Sequence, residues 1–343
     1  MNTKLVYVLT CDPEKSYIEQ ALMSIFSARY WNPDANIVLI TDNLTNALLT
    51  GKRGEILDYI SEKIVKQFPD TDNMVYRSRW LKTSVRSIIE GDFLFIDCDT
   101  ICCRPLDYVD NLNCEVGAVL ESHLPISELN LQMQKEIEYK ARLIGWSINS
   151  EKYYFSSGVI YAKDNDTVNK FYHCWHNTWV SGVENGVNLD QPSFAKANIE
   201  SDHIIQIIPD SYNCILFTQP QKTRDAHILH ISSFRNPSFL FECGMLGYVK
   251  EHGLSNDWIR DMILHPYKSY RPFDYDILHS SFIQRCRWVF DIAKEERNYN
   301  MLIGCECHGK SLPSVIIASV WMLRKRLIVI KHHNQIKDNT CRI

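Results

Sequence analysis

The stretch Asp92-Phe93-Leu94-Phe95-Ile96-Asp97-Cys98-Asp99-Thr100 decides the fold. Four apolar residues run without a polar break, and two aspartates follow one residue apart. A run this short, bounded by Gly91 and Asp92 before and Asp97 after, reads as a strand buried on both faces, the kind found in parallel sheets. In open α/β sheets ligands sit at the carboxyl ends of strands, and Asp97 and Asp99 leave the strand there. Carboxylates so close repel each other unless something positive sits between them. A divalent cation is the usual answer, since hard cations prefer oxygen ligands. The bland alternative is a solvated turn, because Asp is a common turn residue. The triplet alone does not separate the two, so the rest of the chain must.

Residues 5–9 form an apolar run ending in Thr10-Cys11-Asp12-Pro13, a first strand with its ligand-facing end at residues 10–12. Ser16 and Glu19 have capping-box spacing, and Ile18, Leu22, Ile25 and Phe26 share one face of the helix they open. Residues 36–41 give a second strand and close a βαβ unit with a right-handed crossover. Residues 55–68 and 76–89 both have helical period. The second of these carries Arg77, Arg79, Lys82 and Arg86 into the Asp97 strand. Arg77 and Arg86 read as a solvated basic face. Arg79 and Lys82, three apart on one face, are candidates to reach a phosphate.

Further strands are expected at 116–120, 153–162, 204–208 and 226–231, with helices at 127–143 and 167–179. The strand at 153–162 is entered through a Ser156-Ser157-Gly158 turn, and Gly158 marks a close backbone approach. The aromatic helix 167–179 reads as core. Asn188-Leu189-Asp190-Gln191-Pro192 opens another helix, with Asp190 as a natural N-cap and Pro192 in the first turn. His227 and His230 fall on opposite faces of an extended strand, so only one of them points to a site.

The chain has 343 residues, enough for one large α/β domain with an appendage. Strand-like runs give way near residue 237 to helical segments, 258–264 and 282–294, which divides the chain into 1–236 and a helical C-terminal region, 237–343. A net charge of −4 offers no basic field for nucleic acid. The 12 cysteines are scattered, and Met1-Asn2-Thr3-Lys4 leads straight into a strand. They read as reduced thiols in a cytoplasmic protein. Cys305-Glu306-Cys307-His308 lacks a second ligand pair at zinc-site spacing. Residues 312–333 are apolar around Arg324-Lys325-Arg326 and end in Lys331-His332-His333. They are too broken to span a bilayer. They read either as a peripheral contact with the inner face of the membrane or as a packed terminal helix.

With these pieces in order, the chain resembles the GT-A nucleotide-sugar glycosyltransferases, in particular the retaining family of glycogenin and the bacterial lipopolysaccharide galactosyltransferases. Four segments carry the likeness: residues 6–12 with Tyr17; the basic helix leading into Asp97-Cys98-Asp99; Ser156-Ser157-Gly158 with the later Asp190-Gln191; and His227-Ile228-Leu229-His230. The resemblance implies an α/β GT-A fold, a single Rossmann-like mixed sheet flanked by helices, with a helical C-terminal extension. It implies that Asp97, Asp99 and His230 hold Mn²⁺ or Mg²⁺. Thr10, Cys11, Asp12 and Tyr17 match the loop that grips the nucleotide base, and Cys98 lies within the metal triplet. Arg79 or Lys82 matches a basic residue near the diphosphate. Asp190 and Gln191 match the pair beside the reacting sugar carbon. The family's Gly and Lys after the late histidine are replaced by Ser232-Ser233-Phe234-Arg235, so Arg235 is the candidate phosphate contact; the family's Asn-x-Gly is Ser156-Ser157-Gly158 here.

The function implied is hexosyl transfer from a nucleotide-diphosphate sugar, a UDP-sugar, to a glycan or lipid-linked acceptor in polysaccharide biosynthesis. The chemistry suits the residues independently. A metal and a cation offset the charge growing on the leaving diphosphate, and an oxygen from Asp190 or Gln191 steadies the oxocarbenium-like carbon. A nucleotidyltransferase would also pair aspartates at a strand end, but the loop after its first strand is normally glycine-rich and basic, whereas Thr10-Cys11-Asp12-Pro13-Glu14 is acidic. A non-catalytic nucleotide-sugar-binding protein is the third reading.

Overall fold

The computed structural model describes residues 1–69, 73–216, 222, 225–231, 239–241 and 243–266. One compact unit runs from Met1 to Pro266, past the 236/237 boundary read from the sequence. Its centre is a seven-stranded mixed sheet in the order β3-β2-β1-β4-β7-β6-β8. The strands are β1 (Lys4–Leu9), β2 (Ile37–Asp42), β3 (Glu62–Lys66), β4 (Phe93–Ile96), β6 (Val116–Leu120), β7 (Phe155–Ala162) and β8 (Ile205–Ile207). A smaller sheet joins β5 (Thr100–Cys102), β10 (Ile228–His230) and β9 (Cys214–Ile215), in the order β5-β10-β9. Strands β1 to β4 run parallel, and β7 runs antiparallel to both β4 and β6.

Helices cover both faces, as a sheet buried on both sides requires. Val6, Val8, Phe93 and Phe95 share one cluster with Leu81 of α3 (Met74–Thr83), Trp175 of α5 (Asp166–Glu184) and Phe194 of α6 (Asp190–Glu200). Tyr7 points the other way, to Ser24 of α1 (Tyr17–Trp31). The aromatic helix is core, as its sequence indicates: Trp175 and Phe194 lie 4.6 Å apart, and both side chains are fully buried. Helices α2 (Asn43–Leu48), α4 (Leu131–Leu143), α7 (Cys243–His252) and α8 (Asp257–Leu264) complete the unit, with α7 and α8 packed on α1. Among the described residues no helix is long and apolar enough to cross a membrane. The segments 282–294, 305–308 and 312–333 lie outside the described residues.

Three local expectations are corrected. Residues 55–68 are not a helix but a 3₁₀ stretch (Gly51–Asp58) followed by edge strand β3. Ser16 and Glu19 do not make a capping box. The Ser16 side chain makes no cap bond, and Glu19 takes Arg53 Nε at 2.6 Å instead. Arg77 and Arg86 are buried, not solvated. Arg77 Nε donates to Asp42 at 2.8 Å, and Arg86 donates to backbone oxygens of Ile89 and Gly91.

Trp175 also ties core to site, since its Nε1 donates to the backbone oxygen of Asp190 at 3.0 Å. Trp175→Ala is expected to cost about 3–5 kcal/mol in urea unfolding. Tyr139→Ala, on an exposed face of α4, should stay within about 0.5 kcal/mol.

Candidate functional site

The turn after β4 is held from three sides. Asp97 N donates to Gly158 O at 2.8 Å, Thr100 Oγ1 donates to Asp97 O at 2.8 Å, and Ile231 N donates to Asp99 O at 2.9 Å. Antiparallel pairing sets His230 opposite Thr100, which brings His230 Nε2 to 3.1 Å from Asp99 Oδ1. His227 faces away and stacks on Tyr212 with ring centroids 4.9 Å apart. Of the two histidines, His230 is the one in the site.

Asp97, Asp99 and His230 each offer a ligand atom, and these atoms lie within 4.8 Å of one another. Gly158 makes room for them. A Cβ there would stand 2.5 Å from His230 Cε1 and 3.2 Å from Asp97 Oδ2, the close approach that its position in the sequence indicates. Ser156, Ser157 and Gly158 are not an entry turn, however; they belong to β7 itself. Asn213 Nδ2 donates to Ser156 Oγ at 3.0 Å, and its Oδ1 takes His230 Nδ1–H at 2.9 Å. That leaves Nε2 facing a carboxylate, so a proton or a cation must lie between them. Burial pulls the His230 pKa down, but the adjacent Asp99 charge and hydrogen bond outweigh it and raise the pKa. Burial pushes Asp97 up, with Lys82 working against it. Burial would raise Asp99 too, but His230 holds it below the usual range. Two carboxylates and an imidazole nitrogen steadied by Asn213 suit a divalent cation.

The opposite wall carries Asp190, which is not the N-cap of α6. Leu189 is the N-cap, and Asp190 is the first helical residue. Its carboxylate is buried among cations: Arg79 Nε at 2.8 Å, Lys82 Nζ at 3.1 Å and a donated bond from Ser157 Oγ at 2.7 Å. The Arg79 contact is a charge contact without hydrogen-bond alignment. Burial alone would raise the Asp190 pKa, but Lys82 and Arg79 drive it well below the carboxylate range. Lys82 Nζ also donates to both Asp97 oxygens, at 3.1 and 3.3 Å. Arg79 and Lys82 thus both face the site.

Gln191 Nε2 donates to Glu121 Oε2 at 2.8 Å and to Phe155 O at 2.9 Å. Glu121 opens a 3₁₀ turn in which Ser122 and His123 take left-handed φ values of 55° and 57°. Such backbone costs about 1–3 kcal/mol per residue and persists only when its surroundings enforce it. His123 supplies that enforcement, accepting from Ile215 N at 3.2 Å and pairing with Asp210 at 3.3 Å.

Asp97, Asp99, His230, Arg79, Lys82, Asp190, Gln191 and Glu121 line a cleft of about 570 Å³. Thr10, Tyr17 and Cys98 line it as well, although the Cys98 thiol donates to Val8 O at 3.2 Å. Cys11 and Asp12 are not in the lining. Cys11 is buried, with its N–H on Thr45 at 2.7 Å, and Asp12 pairs with Arg77 at 3.1 Å. Arg235 lies outside the described residues. Sequence reasoning missed Glu121, Ser157 and Asn213 as site residues. Glu121 follows a strand end, which was a usable signal; Asn213 had none.

No protein-family profile matches the sequence, and no curated protein matches it. Among solved structures the chain is similar to mouse xyloside xylosyltransferase 1 in its apo form, at 12% identity over 67% of this chain and 97% of that one, with a TM-score of 0.46. The galactosyltransferase LgtC, solved with donor and acceptor sugar analogues, matches at 12% identity over 76% of this chain and 95% of its own, with a TM-score of 0.47. The glycosyltransferase GlyE of Streptococcus pneumoniae matches at 14% identity over 77% and 63%, again with a TM-score of 0.47.

Proposed function

We propose that the protein is a metal-dependent glycosyltransferase that moves a hexose from a UDP-sugar to a glycan or lipid-linked acceptor, working in the cytoplasm and, for a lipid-linked acceptor, at the inner face of the membrane. The observation that carries this reading is one cleft with two walls: Asp97, Asp99 and His230 on one, Asp190 and Gln191 on the other, and Lys82 reaching both.

In this reading the bond between the anomeric carbon and the diphosphate oxygen breaks, and the electron pair leaves with the diphosphate. A divalent cation held by Asp97, Asp99 and His230 would act as a Lewis acid toward that leaving group. Lys82 and Arg79 add fixed positive charge beside it. Asp190 keeps both cations in place and stays ionised, because they hold its pKa low. Gln191 offers an amide oxygen to the positive anomeric carbon. The acceptor hydroxyl then bonds to that carbon, and its proton passes to the departing diphosphate oxygen. Thr10 and Tyr17 stand in the cleft where the base would rest.

Manganese binding followed by calorimetry, and UDP-sugar hydrolysis with and without chelator, test the metal. Asp97→Asn and Asp99→Asn should each abolish binding and turnover in a folded protein; full turnover in chelator would rule the metal out. Gly158→Ala should weaken manganese binding by about tenfold or more, because the new methyl displaces His230. Undiminished affinity would mean His230 is not a ligand.

Asp190→Ala separates an ion-pair anchor from a helix cap. A cap would cost about 1 kcal/mol, whereas removing the partner of the buried Lys82 and the half-buried Arg79 should cost about 3–5 kcal/mol in urea unfolding. Asp190→Asn keeps the bond from Ser157 and should fold better, while its turnover still falls far more than its affinity for UDP.

A further inference from the structure

Glu121 follows β6 at the cleft and has no role in the reading above. The Gln191 amide nitrogen has two hydrogens to donate. One goes to Glu121 Oε2 and the other to Phe155 O. The carbonyl is an acceptor only, and so is an ionised carboxylate. The amide therefore has one orientation: a flip would set its oxygen against both of them. The nitrogen is committed to the wall, and the oxygen is the atom left with its lone pairs to offer.

We propose that Glu121 is a positioning residue that holds the Gln191 amide so that its carbonyl oxygen is free for the anomeric carbon of the donor sugar. This deepens the glycosyl-transfer reading and rests on it. Glu121 is itself held. Its backbone N–H donates to Tyr154 O at 2.8 Å, and Ser122 Oγ donates to its Oε1 at 3.3 Å. The left-handed Ser122–His123 turn that follows is anchored by His123 through Ile215 and Asp210. The carboxylate thus reaches Gln191 from a fixed point.

Two readouts test this. The first is solvent exchange of the Gln191 side-chain amide protons by nitrogen-15 spectroscopy, with the signals assigned by their loss in Gln191→Met. Exchange should be slow in the native protein and about tenfold or more faster in Glu121→Met. It should stay slow in Glu121→Gln, whose amide oxygen still accepts. Glu121→Asp, which withdraws the acceptor, is a second disrupting variant should Glu121→Met not fold. The second readout is turnover of UDP-glucose and UDP-galactose with manganese. Glu121→Met should lower kcat by about tenfold or more with KM within about twofold. Glu121→Gln should recover most of that loss, and Glu121→Met should cost nothing further in a Gln191→Met background.

Unchanged exchange or unchanged kcat in the disrupting variants overturns the proposal. So does an equal loss in Glu121→Gln, which would make the charge the working feature, and so do additive losses in the double variant. If the native protein turns over neither sugar while the exchange pattern holds, the glycosyl-transfer reading fails and the role falls with it. If turnover is present but the exchange pattern is absent, only the positioning role fails.

Discussion

One ammonium group ties the two walls of the cleft together. Lys82 Nζ lies 3.1 Å from Asp97, 3.1 Å from Asp190 and 3.5 Å from Ser157, and its side chain is only 4% exposed. A buried cation is tolerated only when it is paired and hydrogen-bonded, so each partner is constrained by the same charge. Three carboxylates, Asp97, Asp99 and Asp190, meet two cations, Arg79 and Lys82, and a histidine whose pKa is raised. With His230 protonated the cluster is neutral. Were a divalent cation to replace that proton, the cluster would carry one excess positive charge. A diphosphate would then meet an excess of positive charge at this cluster. The charge balance thus couples binding of metal and donor in the proposed reading.

The reversal in the middle of the sheet makes this meeting of residues geometrically available. In a purely parallel sheet the residues beside the end of β4 would come from another strand's carboxyl end. Here β7 runs antiparallel, with Ile96 opposite Val159. Its first residues, Ser156, Ser157 and Gly158, therefore lie next to Asp97. The small sheet then delivers His230 from the other side through its pairing with Thr100. A close crossing of backbones with a ring between them leaves no volume for a Cβ, and this is what makes residue 158 a glycine.

Elements with strong local signals were legible in the sequence. The apolar runs at β4 and β6 and the aromatic α5 fell where their patterns indicate. The pair of aspartates at a strand end and the alternation that singles out one of His227 and His230 were legible too. Residues 55–68 misled because Ile56, Ile60, Ile64 and Phe68 recur every four residues, a helical period. Pairing with β2 overrides that preference from residue 62 onward. The ion pairs misled more deeply. Arg77 finds Asp42 and Asp12, partners 35 and 65 positions away in the chain. A cation beside other cations in sequence looks solvated until the fold brings carboxylates to it. Asp190 misled in the same way: its position predicts a cap, but its charge is claimed from α3.

Helix α3 therefore acts as a distributor of charge and not as a surface. Arg77 fixes Asp42 at the end of β2 and Asp12 in the loop after β1, the loop that sends Thr10 and Tyr17 into the cleft. Arg79 and Lys82, on the next turn, fix Asp190 and Asp97. Thr83 then joins His176 of α5 at 2.8 Å, and Arg86, just past the helix, binds the backbone at Gly91, which leads into β4. The loop after β1, the turn after β4 and helix α6 are thereby indexed to one rigid element, and a shift of any one would have to break a charged contact made by it. Such contacts are strong only with both partners in place. A guanidinium with two carboxylates to bridge and an ammonium with three short contacts are not interchangeable. The order of basic residues along this helix is thus set by the partner each must reach, and not by a general need for positive charge.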